Sequence, residues 1–249
     1  MEKIRKTPDQ EKFAILDEFK FEIQPVGVKY LVRQPEGISR LDQKMALCEM
    51  LKKAQGGEAF YADAKNHTCE AGPYVLGQSE GEPQFISGEF GAGLGAFKDN
   101  RAAARVYNYL PRIARNTVNY IVLSPLDKLS FDPDVMIFLV PTSQAWTILR
   151  AMSYNTGKMW SSRYSTAIGC AWLYVYPFLS GEVNFITSGM GFGMRRRHLF
   201  QDGLQFVSIP FDQLSSIMRT LSDMPWIPEP FKPEGLDYVK QLRQRLDLE

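Results

Sequence analysis

The chain has 249 residues with 45% hydrophobic and 12% aromatic content, enough to build a sizeable core and too apolar for a disordered chain. Its formal net charge of +1 argues against nucleic-acid or anionic-membrane partners, which call for a marked basic excess. No secretory leader or apolar span follows the charged start Met1-Glu2-Lys3-Ile4-Arg5-Lys6, and three cysteines make no disulfide framework, so a reducing cytoplasm is the expected location.

Thr7-Pro8-Asp9 reads as a cap with proline at the first helical position, opening a helix to about Phe19. Pro25 to Val32 reads as a buried strand. A helix follows, with Leu41, Met45, Cys48 and Leu51 at three- to four-residue spacing and Gly56 as its stop. Strand-like runs come at Ala59 to Ala62, at Gln84 to Ser87 after the turn Gly81-Glu82, and at Val118 to Leu123. Between the last two lies a helix from Arg101 to Tyr109, with Asn100 as its expected cap. The second half repeats the order. Pro133 to Val140 is a strand, Ser143 caps a helix carrying Trp146, Leu149 and Met152, and Met159 to Tyr164, Asn184 to Thr187 and Phe206 to Ile209 read as strands. A helix from Asp212 to about Leu221, a proline-rich connector and an amphipathic helix with Leu236, Val239, Leu242 and Leu246 on one face close the chain.

The halves match residue by residue. At an offset of 100, ten positions between 57 and 93 are identical, including Tyr74/Tyr174, Gly81/Gly181, Phe85/Phe185 and Gly91/Gly191; ordinary residue frequencies give roughly two. At an offset of 85, Val122, Pro125, Asp127 and Leu129 match Val207, Pro210, Asp212 and Leu214. Such a repeat outranks residue-level arguments about fold. The expectation is a single domain over 1–249, with repeat one at about 25–132, repeat two at about 133–221 and a terminal helix at 234–248. Alternating strands and helices imply an α/β or α+β, internally duplicated fold with mixed sheets and two halves packed about a pseudo-twofold axis.

Two clusters carry chemistry. Cys48 lies on the apolar stripe of its helix, where a small buried hydrophobe is the bland reading. His67-Thr68-Cys69 sets an imidazole and a thiol two residues apart, on one face if the segment is extended. Cys170 falls beside the repeat equivalent of Cys69. Cys48, Cys69, Cys170 and His67 together would make a three-cysteine, one-histidine metal set, or ligands of an iron–sulfur cluster; the spacing matches no standard ligand pattern. The second cluster is the segment from Gly189 to His198. Its Gly191, Gly193, Arg195, Arg196 and Arg197 could bind an anion through backbone N–H groups and guanidinium forks, or form a tight turn with solvated arginines. The first copy, Gly93-Leu94-Gly95-Ala96-Phe97-Lys98, lacks the arginines. Glu82 and Glu182 recur in one turn and read first as turn residues. Trp146, Trp160, Trp172 and Tyr174 could wall a flat cofactor and read first as packing.

Cys48, His67-x-Cys69-x-x-Gly72, Val122-x-x-Pro125-Leu126 and Pro133-Asp134-Val135 resemble the uncharacterised prokaryotic family called domain of unknown function 169, over roughly Val26 to Leu221. The resemblance implies no activity. It implies that Cys48, Cys69, Cys170 and the Gly191 to Arg195 segment fall at family-typical places, and an anaerobic distribution favours oxygen-sensitive cofactors. Three functional readings follow. The first is a cofactor-binding, redox protein with a thiolate-ligated zinc, iron–sulfur or haem site. The second is an enzyme or sensor for a small phosphate or carboxylate metabolite at the Gly–Arg loop. The third is a structural homo-oligomer without ligand.

Overall fold

The computed structural model describes residues 10–233, 235–246 and 248. The expected cap Thr7-Pro8-Asp9 lies outside these residues, as does the side chain of Leu236. The chain forms an α+β fold around one sheet of six strands: β1 (Val26–Leu31), β2 (Phe60–Asp63), β3 (Tyr120–Pro125), β4 (Val135–Val140), β5 (Asn184–Thr187) and β6 (Gln205–Pro210). Their order is β2-β3-β1-β4-β6-β5, and every pairing is antiparallel.

The mixed pairing expected from strand–helix alternation is therefore corrected, for a topological reason. β1 and β2 do run the same way, but β3 inserts between them and is antiparallel to both. β6 does the same between β4 and β5. Each half thus places its first strand inside, its third in the middle and its second at the edge. The halves meet where β1 pairs β4 over three residues, Val26 to Val28. Beyond that short ladder the Asp134 carboxylate accepts from the Tyr30 N–H and from Lys29 Nζ, both at 2.7 Å.

The helices are α1 (Leu47–Gln55), α2 (Ala71–Val75), α3 (Pro83–Ile86), α4 (Glu89–Gly93), α5 (Asn100–Asn108), α6 (Thr142–Ser153), α7 (Tyr176–Ser180), α8 (Phe192–Arg196), α9 (Phe211–Asp223) and α10 (Gly235–Arg245). A π-helical turn, Ala171–Val175, leads into α7. Strand side chains alternate between faces, so the sheet carries two cores. Val28, Ile121, Ile137 and Phe206 pack with α1, α2, α5 and the π-helical turn. Val122, Met136, Phe138 and Val207 pack with α6, α9 and the 3-10 helix Gln10–Phe19. Covered on both faces, β4 is buried at all six positions, which is why it reads as a continuous apolar run.

Several local expectations differ from the structure. α1 begins at Leu47; Leu41 and Met45 belong to an extended approach whose backbone bonds to Tyr61 and Asn66. β3 begins at Tyr120 rather than Val118. The cap of α5 is Asp99, whose carboxylate accepts from the Ala102 N–H at 2.8 Å, not Asn100. Most telling, one repeated segment adopts two structures: Gln84 to Ser87 is mostly helix α3, while Asn184 to Thr187 is strand β5. Pro83 stands where the second copy has Val183. Proline suits a first helical turn and cannot donate to a ladder. The run Met159 to Tyr164 joins no strand. The fully buried Asn184 amide holds it instead, accepting from the Arg163 N–H at 2.9 Å and donating to the Arg163 carbonyl at 3.0 Å.

Candidate functional site

All three cysteines line one pocket of about 370 Å³ on one face of the sheet, between the halves. Cys48 comes from the first turn of α1, Cys69 from the turn before α2, and Cys170 from the residue before the π-helical turn. Two tyrosines lock these elements together. The Tyr174 hydroxyl donates to the Leu47 carbonyl at 3.2 Å, and the Tyr30 hydroxyl donates to the Tyr174 carbonyl at 2.7 Å.

Burial pushes the Cys48 thiol up to about 11; the Arg197 guanidinium opposes this, while Cys69 and Glu49 add to it. Cys170 is half-buried, and desolvation, then Cys69 and Cys48, push its thiol well above the ordinary range. Both are protonated at neutral pH. Among the described residues, no group of three or more His, Cys, Asp or Glu side chains is placed to hold a metal ion.

His67 does not line the pocket. It caps a 3-10 turn, and its ring packs against Gly72, where an added Cβ would lie 2.7 Å from Nδ1. The segment is bent, so the same-face argument for His67 and Cys69 does not apply. Both ring nitrogens are buried without a hydrogen-bond partner. Burial lowers the imidazole to about 4, with Gln78 and Asp63 opposing in part, so the ring is neutral at pH 7.

The Gly–Arg segment divides. Gly193, Arg196 and Arg197 line the pocket. Arg195 turns away and donates to the Gly189 carbonyl at 3.1 Å. Gly191 has a packing role, since a Cβ there would come within 2.3 Å of the Tyr164 hydroxyl. Arg197 donates to the Gly193 carbonyl at 3.3 Å and pairs across the halves with Glu49 at 3.5 Å. Arg196 is exposed, and its guanidinium pairs with no group among the described residues. The Phe192 N–H donates to the Thr166 carbonyl at 2.9 Å, docking α8 beside the Cys170 segment.

The sequence pattern did not reveal the rest of the wall. The aromatic surface comes from Phe85, Phe90, Tyr107 and Phe192, not from Trp146, Trp160, Trp172 or Tyr174. Glu70 and Glu82 stand at the exposed edge, whereas Glu182 pairs with Lys158 at 2.8 Å on the surface. Ile168 lines the pocket with φ of +51°, a left-handed conformation that is an outlier for a β-branched residue. Such strain concentrates at ligand clamps and active sites, as do π-helical turns. Both flank Cys170. No sequence signal marks them, because isoleucine disfavours that conformation.

The family described as uncharacterised ArCR, domain of unknown function 169, matches residues 14–220. The chain belongs to this family. A similar protein is "Uncharacterized protein MJ0308" of Methanocaldococcus jannaschii, 29% identical over 133 residues, or 53% of this chain and 57% of that protein. The alignment thus spans little more than half of either chain. No solved structure matches. Among the described residues, no helix is long and apolar enough to cross a membrane.

Proposed function

We propose that the protein binds a small molecule with an acidic group in the pocket between its halves. One observation carries the reading: Cys48, Cys69, Cys170, Arg196 and Arg197, from four separate segments, line a single cavity of ligand size. The unpaired Arg196 would take the acidic group as a guanidinium fork takes a carboxylate or phosphate. Arg197, held by Glu49, would add charge from the pocket wall. The duplication read from the sequence fits this arrangement: the halves keep a common strand order, while the arginines occur in one copy only. The test is thermal-shift screening of small carboxylates and phosphates, repeated on Arg196→Ala. A charge-assisted contact contributes about 1.5–3 kcal/mol, so the variant should bind roughly ten- to a hundredfold more weakly with an unchanged Tm. Equal binding by the variant would dismiss the site.

The meeting of three thiols at one pocket favours a second reading, a thiolate-ligated zinc, iron–sulfur or haem cofactor with a redox role. Binding would require the raised thiols to lose their protons to the metal. An ultraviolet–visible spectrum and metal analysis of anaerobically purified protein decide it. Stoichiometric metal lost in Cys48→Ser, Cys69→Ser and Cys170→Ser variants supports the cofactor; colourless, metal-free protein removes it.

A further inference from the structure

The polarity of the pocket runs in one direction. Its floor is apolar: Phe85, Tyr107, Ala167 and Met194 are 4–6% exposed, beside the Cys48 and Cys170 thiols. Its rim is charged, and the two halves supply opposite signs. Glu70 and Glu82 come from the first half and Arg196 from the second, all three exposed and none with an ion pair among the described residues.

A simple anion at Arg196 would share the rim with two carboxylates that no cation balances. A simple cation would face the guanidiniums. A ligand carrying both signs meets each with its opposite, and like-charge contacts disfavour the single-sign alternatives. The floor offers no charged partner, so the buried end of the ligand must be apolar. Protonated thiols and the Met194 thioether suit an aliphatic, thioether or aromatic body. At roughly 30 Å³ for each water-sized group, the cavity takes on the order of a dozen non-hydrogen atoms.

We propose that the occupant is a free α-amino acid with an apolar side chain, its carboxylate on Arg196, its ammonium toward Glu70 and Glu82, and its side chain on the apolar floor. This rests on the reading of the pocket as an acid-binding site and names the class of acid.

Isothermal titration calorimetry tests it with L-phenylalanine, L-methionine and L-leucine. The comparison set is 3-phenylpropanoate, which lacks the ammonium, 2-phenylethylamine, which lacks the carboxylate, and inorganic phosphate. At least one amino acid should bind, with L-phenylalanine at least tenfold tighter than either analogue if it is the one. The Glu70→Gln/Glu82→Gln double variant should weaken the amino acid at least tenfold while leaving 3-phenylpropanoate equal or tighter. These side chains are exposed, so the fold should survive, and an unchanged Tm checks it. If 3-phenylpropanoate or phosphate binds through Arg196 and no amino acid binds more tightly, the amino-acid assignment fails and the acid-binding reading stands. The assignment also fails if the double variant binds the amino acid as the wild type does. If no acid in the set binds, or Arg196→Ala changes nothing, both fall together.

Discussion

The hydroxyl of Tyr174, in the π-helical turn, donates to the carbonyl of Leu47 at the start of α1, 3.2 Å away and fully buried. The bond joins the segment that carries Cys170 to the one that carries Cys48, across the boundary between the halves. Tyr174→Phe should lower stability by about 1 kcal/mol, the net value of such a bond, and Tm by roughly 2–4 °C for a chain of this size. Thermal denaturation followed by circular dichroism checks it; an unchanged Tm would show that the bond does not tie the halves together.

The raised Cys48 thiol sets its reactivity. At pH 7.5 a group pushed up to about 11 is almost wholly protonated, and the thiolate is the nucleophile. Iodoacetamide should alkylate Cys48 at least tenfold more slowly in the folded protein than in urea, as read by peptide mapping. The rate should climb steadily with pH toward 11. Arg197→Gln should slow it further, because that guanidinium favours the thiolate.

His67 links stability to acid. Its folded-state value, about 4, lies below the usual 6.5, so the unfolded chain takes up this proton first as pH falls. The stabilisation is present above pH 6.5 and is lost progressively toward pH 4. The histidines are two in number, so proton NMR separates them readily, and the His67 ring signal should titrate near 4. His67→Gln should flatten the fall in Tm between pH 6.5 and 4; a fall as steep as wild type would assign it elsewhere.

Ile168 holds φ of +51°, where an L-residue with a side chain is disfavoured by about 1–2 kcal/mol and glycine is not. Ile168→Gly should therefore be more stable than Ile168→Ala by about 1 kcal/mol, the reverse of the usual order. Comparing the two variants cancels the loss of the isoleucine side chain. Chemical denaturation gives both values, and an alanine variant at least as stable as the glycine one would remove the strain argument.

Legibility followed the range of the interactions involved. β4 was readable because a continuous apolar run is what a strand covered on both faces requires; β1 and β6 were readable from apolar residues at most of their positions. The helix stop at Gly56 was readable from local backbone chemistry; the next helix was legible, but it starts at Thr142 after Pro141 and Ser143 lies inside it rather than capping it. The fate of Gln84 to Ser87 was harder: its similarity to Asn184 to Thr187 pointed to a strand, while Pro83, where the second copy has Val183, favours a first helical turn. At the site, the cysteines and Arg196 were identifiable by residue type. Glu70, Tyr107 and Ile168 were not, since nothing in their neighbourhoods marks them.

By itself, the sequence narrowed the class to α/β or α+β, exposed the internal likeness, and marked the strand cores and the reactive side chains worth following. These depend on periodicity, turn chemistry and internal likeness, which act over a few residues or are visible as repetition. Only the tertiary structure decided that β3 and β6 insert between their neighbours and make the sheet wholly antiparallel. It alone turned the His67 ring against Gly72 and Arg195 onto its own loop, and brought Cys48, Cys69, Cys170 and Arg196 to one cavity. Those outcomes depend on contacts between residues far apart in the chain, such as Glu49 and Arg197, 148 positions apart (197 − 49), and no local pattern encodes which distant surfaces bury each other.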